Sequence, residues 1–256
     1  MTTNLRTAKR ACLRALTPVR VQMWKLRHNA GPSFRCPICN YQGVFFEMLG
    51  RQNAACPKCG LLERHRLQWL VIDVLSRKMD FSSMKMLHFA PEVSLSTRFR
   101  RLFRSYETAD LDGKDVDHAV DLTNLPFENA SYDWVYVSHV LEHVREDRAA
   151  LANIRRILKP GGIAILPVPI FAGTETVEYP EANPFEAYHV RQPGYDYFDR
   201  YKPFFTKIEF HRSGDYPPEF QTYIYEDRSG WPTPQMPYKR PMSGLRHEDI
   251  VPVCYA

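Results

Sequence analysis

The sequence predicts an α/β protein: a doubly wound, mostly parallel sheet preceded by a small four-cysteine unit. Three observations carry this. Four of the six cysteines fall into two C-x2-C pairs near the N-terminus. From residue 84 onward, short apolar strands alternate with amphipathic helices, the pattern of a parallel sheet with helical crossovers. The chain has 256 residues, 44% hydrophobic and 25% charged, which is ordinary soluble usage and enough to bury a sizeable core. A wholly disordered chain, a collagen and a disulfide miniprotein are thereby excluded. The longest apolar run, residues 163–173, is shorter than the ~20 residues a bilayer span needs. The first residues contain no apolar h-region, so a cytoplasmic location is expected.

The elements follow in order. Residues 1–32 read as a basic helical arm: seven of the 34 bases lie in residues 1–30 with no acid, leaving 27 bases against 29 acids elsewhere. Leu13, Leu16, Val19, Val21 and Trp24 give the arm an apolar side, and Pro18 breaks it. It serves either as a contact for nucleic acid or another acidic surface, or as a segment packed on its own protein or on a dimer mate. Residues 33–61 hold Cys36-Pro-Ile-Cys39 and Cys56-Pro-Lys-Cys59. This spacing matches a tetrahedral four-thiolate zinc site, with iron or two unconnected dithiols as the alternatives. Four thiolates close the coordination shell, so the expected role is structural, and the site suits a reducing compartment. Cys12 and Cys254 are isolated and read as ordinary thiols.

Residues 62–256 form the main domain. Residues 62–78 read as a helix with Leu67, Leu70, Val71, Val74 and Leu75 on one face. Strands are expected at Met84–Phe89, Tyr106–Leu111, His118–Asp121, Asp133–Ser138 and Ile163–Val168, and helices at Ser94–Arg104 and Asp147–Leu158. Lys159-Pro160-Gly161-Gly162 ends the second of these helices. Eleven of the 20 prolines and eighteen of the 33 aromatics lie beyond residue 170. There a helix at Asp196–Tyr201 and strands at Thr206–His211, Gln221–Tyr225 and Ile250–Tyr255 are expected. Residues 171–204 stand as a candidate lid, and 212–248 as a long insertion rich in proline and aromatics.

An open α/β sheet binds ligands at the carboxyl ends of its strands. In this sequence those ends carry His88, Phe89, Ala90 and Glu92; then Asp110 and Leu111; then Asp121 and Leu122; then Ser138, His139 and Val140. Asp110 lies twenty-two residues after His88, the spacing of an acid that binds ribose hydroxyls.

The run VDLTNLPFENASYDWVYVSHVLEHV followed by LKPGG resembles class I S-adenosylmethionine-dependent methyltransferases. More narrowly, CPIC…CPKCGLLERHRLQWL followed by MLHFAPE resembles a bacterial subgroup of them with an N-terminal zinc ribbon. The likeness covers residues 33–211. It implies a Rossmann-like, seven-stranded, mostly parallel sheet, with S-adenosylmethionine as cofactor and zinc as a structural ion. By this likeness Asp110 holds the cofactor ribose. Asp121 takes the adenine amino group beside the Leu122 backbone, and Ser138, His139 and Val140 lie next to the sulfonium. His189-Val190-Arg191 is similar to an H-x-R element that roofs the active site, with Tyr188 beside it. The family's glycine-rich loop is missing: Ala90, Glu92 and Ser94 stand in place of the glycines, and His88 in place of an acid. The subgroup shares this HFAPE loop. Arg64 and Arg66 are candidates for the partner of the cofactor carboxylate.

The function so implied is methylation of a small organic acceptor at oxygen, nitrogen or carbon, in a natural-product or saccharide pathway. His139 is the first candidate for a general base and His189 the second. His143 lies one helical turn after His139, on the same helix face. Two other readings remain: an RNA methyltransferase using ribbon and arm, and a non-catalytic zinc-ribbon scaffold whose cofactor site has degenerated. No membrane partner is expected, and a homodimer is possible.

Overall fold

A computed structural model describes residues 17–28, 30–171, 173, 175–226 and 246–256. The chain divides into two compact units. The first contains the N-terminal part through Leu70 together with described residues 216–226 and 246–247. The second runs from Val71 to Asp215 and takes in residues 248–256. Arg6, Lys9, Arg10, Arg14 and Cys12 of the expected arm, and residues 227–245 of the expected insertion, lie outside the described residues.

In the first unit, residues 17–27 are helical (α1). Trp24 anchors α1 to the ribbon: its indole N–H donates to the Val44 carbonyl at 2.8 Å, and its ring meets Phe46 edge-on at 4.4 Å. The described part of the arm therefore packs on its own chain. Two antiparallel hairpins follow, β1 (Phe34–Arg35) with β2 (Gln42–Gly43), and β3 (Phe46–Met48) with β4 (Arg51–Ala55). Helix α2 (Glu63–Ser76) comes next. The division at Leu70 differs from a boundary after residue 61, and residues 216–226 group with the ribbon rather than with the sheet. The physical reason is Arg66. Its guanidinium, fully enclosed, donates to the carbonyls of Asn53, Ala54 and Leu61, and also to those of Phe220 and Gln221. One buried cation thus ties the two stretches of chain together. No strand forms at 221–225: an isolated bridge between Ile224 and His247 takes its place.

The second unit contains one seven-stranded sheet. Its strands are β5 (Lys85–Phe89), β6 (Ser105–Asp110), β7 (His118–Ala119), β8 (Tyr132–Val137), β9 (Leu158–Ile165), β12 (Lys207–Arg212) and β13 (Ile250–Tyr255). The spatial order is β12-β13-β9-β8-β5-β6-β7, and β13 is antiparallel to both its neighbours while the other pairings are parallel. This is a Rossmann-like, doubly wound topology. The chain leaves β5 in one direction through β6 and β7, then returns to the other side through β8 and β9, so the order reverses between β5 and β8. Ligands bind at such a switch point. The central strands are apolar along most of their length because both faces are covered. On one face Leu87, Phe89, Val135 and Val137 pack with Leu151 and Ile154 of α4 (Asp147–Ile157) and with Tyr197 and Tyr201. On the other, His88 and Tyr136 meet Phe99 of α3 (Val93–Leu102). Strand β9 begins at Leu158, earlier than its apolar run, because Gly161 at φ 74° turns the backbone where the register with β8 shifts.

The candidate lid, 171–204, contains structure that the proline and aromatic content concealed. An antiparallel pair, β10 (Val177–Asn183) and β11 (His189–Gln192), brackets a short 3-10 turn at Pro184–Glu186. A second 3-10 segment, Tyr195–Arg200, stands where an α-helix was expected. No helix among the described residues is long and apolar enough to cross a membrane.

Candidate active site and metal centre

The two cysteine pairs form matched knuckles. Cys36 N–H donates to Tyr41 and Asn40 N–H to Cys36; Cys56 N–H donates to Leu61 and Gly60 N–H to Cys56. Asn40 at φ 56° and Gly60 at φ 74° occupy equivalent left-handed positions, which glycine and asparagine tolerate best. The turns bring Cys36 Sγ to 3.7 Å from Cys59 Sγ and Cys39 Sγ to 3.5 Å from Cys56 Sγ. A tetrahedron with zinc–sulfur bonds of ~2.3 Å has edges of roughly 3.8 Å. The four thiols therefore fit one such ion.

In the second unit, register aligns the strand ends: Phe89 lies opposite both Ala109 and Val137, and Asp110 opposite Ala119. Ala90, Asp110, Asp121 and Ser138 consequently follow along one edge. Asp110 is half-buried, and one of its oxygens accepts the Asp112 N–H at 3.0 Å, leaving the rest of the carboxylate for other donors. Leu111 beside it is 73% exposed. Asp121 is exposed and holds a turn, accepting from the Thr123 N–H and hydroxyl at 2.8 Å each. Phe89 and Leu122 are core residues, so only their backbone reaches the edge. Ser138 is buried, and Val140 packs against the core.

Three of the expected site residues have internal partners in these surroundings. His88 is fully enclosed and does not line the edge. Its Nε2 lies 3.2 Å from a Glu92 carboxylate oxygen and its Nδ1 2.8 Å from the Tyr106 hydroxyl. A carboxylate only accepts, so Nε2 carries the proton and Nδ1 accepts from the tyrosine. The histidine and Glu92 clamp the loop after β5. Arg66 has no donor to spare for a carboxylate, its guanidinium being given to carbonyls as described. Arg191, 1% exposed, is likewise committed: it donates to the carbonyls of Leu141, Val144 and Arg145 at 2.6–2.9 Å and to Glu178 at 3.0 Å. It fixes the turn after β8. Arg64 lies in the first unit, with its Nε buried and without a hydrogen-bond partner.

The loop after β5 replaces glycine without abandoning its conformation. Ala90 sits at φ 47°, exposed, with its N–H donating to the Ala109 carbonyl at 2.9 Å.

The three candidate histidines converge on a residue that the sequence reading passed over. Glu142, 1% exposed, lies in a 3-10 turn at Leu141–His143. His139 does not share a helix face with His143: it precedes the turn at φ 55°, its N–H held by Pro167, and its Nδ1 lies 3.5 Å from Glu142 Oε1. His189, from β11, places Nε2 4.0 Å from the same oxygen and Nδ1 3.4 Å from Glu186 Oε1. Glu186 is buried and accepts from the Tyr179 hydroxyl at 2.6 Å. The exposed His143 stands against the His189 ring at 4.6 Å and hydrogen-bonds the backbone of Tyr188, itself 68% exposed. Burial works to raise the Glu142 carboxyl, but the bond from His139 and the charges of His139, His189 and His143 outweigh it and hold the group below the usual range. Burial pushes His143 down against the pull of Glu142. The adjacent Glu142-His143 pair was the visible signal; His189 and Glu186 lie more than forty residues further along the chain.

Residues 87–166 match the family model described as a methyltransferase domain. An O-methyltransferase of Pyrenophora dematioidea is 40% identical over 58 residues, 23% of this chain and 22% of that protein. An uncharacterized 37.1 kDa protein in transposon TN4556 of Streptomyces fradiae is 37% identical over 68 residues, 27% of this chain and 19% of that one. The chain thus spans about a fifth of the length of these relatives. Among solved structures, an S-adenosylmethionine-dependent methyltransferase from Mesorhizobium loti aligns with a TM-score of 0.47 at 13% identity, over 73% of this chain and 97% of that one.

Proposed function

We propose that the chain transfers a methyl group from S-adenosylmethionine to a small organic acceptor. The observation that carries this reading is the division of one sheet edge. An open acidic stretch, Asp110-Leu111 and Asp121, lies on one side of the switch point, and a histidine cluster gathered on Glu142 lies on the other. The residues suit the cofactor: Asp110 keeps free acceptor capacity for ribose hydroxyls, and Leu111 offers an uncovered apolar side chain to a base. S-adenosylmethionine supplies a methyl carbon on a positively charged sulfur. The protein's contribution is to hold the acceptor in line with that carbon and keep water out. His139, anchored through Nδ1 to Glu142 and with Nε2 unpartnered, takes the acceptor's proton. With the cofactor bound, the acceptor's lone pair would take the methyl and the carbon–sulfur electron pair would stay on sulfur. The strand pair around His189, with Tyr188, covers this end as a lid.

The test is calorimetry with S-adenosylhomocysteine. One site per chain is expected, and absence of binding to the folded protein overturns the reading. The four cysteines bind a structural zinc in this proposal. Purified protein carries about one zinc per chain at this site, and Cys36→Ser loses it and loosens the ribbon. Full zinc in that variant would refute the assignment.

A further inference from the structure

Buried polar atoms without a hydrogen-bond partner call for an explanation. Among the described residues Glu142 Oε2 is one of them. Ligating atoms of Glu142, His143 and His189 all lie within 4.8 Å of one another. Two imidazoles and a carboxylate are the donor set of first-row divalent metals, bound at ~2.0–2.2 Å. Ligands on one such ion stand roughly 3–4 Å apart, and His189 Nε2 is 4.0 Å from Glu142 Oε1.

The surroundings have the form that metal-bound histidines require. A ligating imidazole turns its other nitrogen to a carboxylate or a backbone carbonyl, which fixes tautomer and ring plane. His189 turns Nδ1 toward Glu186, which Tyr179 holds in turn, and His143 is bonded to the Tyr188 backbone. Arg191 binds the carbonyls on either side of the Glu142-His143 turn and so sets its position. Two of the three donors are buried while His143 is exposed, so an ion here has an enclosed side and an open one.

We propose that Glu142, His143 and His189 bind a divalent transition-metal ion, distinct from the ion of the four cysteines. The three protein ligands leave open positions on the side of His143. Resting on the methyltransferase reading, those positions take an oxygen of the acceptor, which assigns the acceptor to the hydroxyl-bearing compounds. A bound cation lowers the pKa of such an oxygen and orients it.

The experiment uses the full chain with zinc in the ribbon and Co²⁺ as probe, followed by visible absorption and metal analysis. One equivalent of Co²⁺ beyond the ribbon metal is expected, with ligand-field bands and no thiolate charge-transfer band. Glu142→Gln, His143→Ala and His189→Ala should each weaken Co²⁺ binding about tenfold or more. His143 is exposed, so His143→Ala keeps the test valid should the buried variants misfold. Absence of the second equivalent overturns the proposal, as does equal binding by His143→Ala. Calorimetry with S-adenosylhomocysteine on the same samples separates the two ideas. Cofactor binding without a Co²⁺ site removes the metal and leaves the methyltransferase. A Co²⁺ site without cofactor binding supports the metal and removes the methyltransferase.

Discussion

The two halves of the sheet edge are built in opposite ways. Beside β5, β6 and β7 the edge is open: Ala90, Leu111 and Asp121 are exposed and Asp110 is half-buried. Beside β8 and β11 it is crowded: Glu142, Glu186, His189 and Arg191 are all buried, and each faces a charged neighbour. An open edge with spare acceptors suits reversible capture of a polar nucleoside. A closed cluster with a costly buried charge is kept where chemistry is done, because burying a carboxylate disfavours folding unless something repays it. Under the proposed function, binding and reaction fall to different residues.

The largest expected effect lies in the crowded half. His189→Ala removes a group facing both Glu142 and Glu186, and turnover should fall ~10²-fold or more, the range for a lost acid–base or orienting group. Affinity for S-adenosylhomocysteine should stay near normal. Steady-state kinetics with an identified acceptor, paired with calorimetry, reads both. A loss of affinity equal to the loss of rate would erase the division between the halves.

The next effect lies in the open half. Asp110→Ala should weaken S-adenosylhomocysteine by ~1.5–3 kcal/mol, the range for hydrogen bonds to a charged group. Melting temperature should barely move, because the carboxylate makes a single local bond to Asp112. Leu111→Ala should weaken the same ligand by about 1 kcal/mol, since a side chain exposed in the free protein gains only what the base covers. Unchanged affinity in both variants would move the nucleoside elsewhere.

The open half was legible in the sequence, and the crowded half only in part. Strand periodicity, a strand-end acid and its distance from the first strand are local features, and they marked Asp110 and Asp121 as candidates at the edge where the structure places them. The histidines were legible as residue types, but their common partner was not. Glu142 becomes a hub only when β11 brings His189 beside the turn after β8, and strand β11 itself was hidden among prolines and aromatics. The internal partners of Arg66, Arg191 and His88 were illegible for a related reason. Each is a residue type that holds anions or lines sites, and each is consumed by internal partners that sequence spacing does not display. Four cysteines at two fixed spacings left far less freedom, and their convergence followed from two local turns.

The smallest effect tests how the open half dispenses with glycine. Ala90 adopts φ 47°, a left-handed conformation that costs a residue with a Cβ roughly 1–2 kcal/mol. The bond from its N–H to Ala109 and the His88–Glu92 clamp beside it hold the turn against that cost. Ala90→Gly removes the steric penalty but widens the unfolded ensemble, which returns ~0.4–1 kcal/mol of the gain. The methyl group is exposed, so little packing is lost. The net expectation is a stabilisation of about 0.5–1 kcal/mol in denaturant unfolding. Cofactor affinity should change little, because the clamp sets the course of the loop. Ala90→Val should destabilise instead, since a β-branched residue at positive φ is a greater outlier than alanine. If Ala90→Gly weakens S-adenosylhomocysteine markedly while Asp110→Ala does not, the strained turn is itself the binding element, and the open half grips its ligand through backbone where the acids were expected to do so.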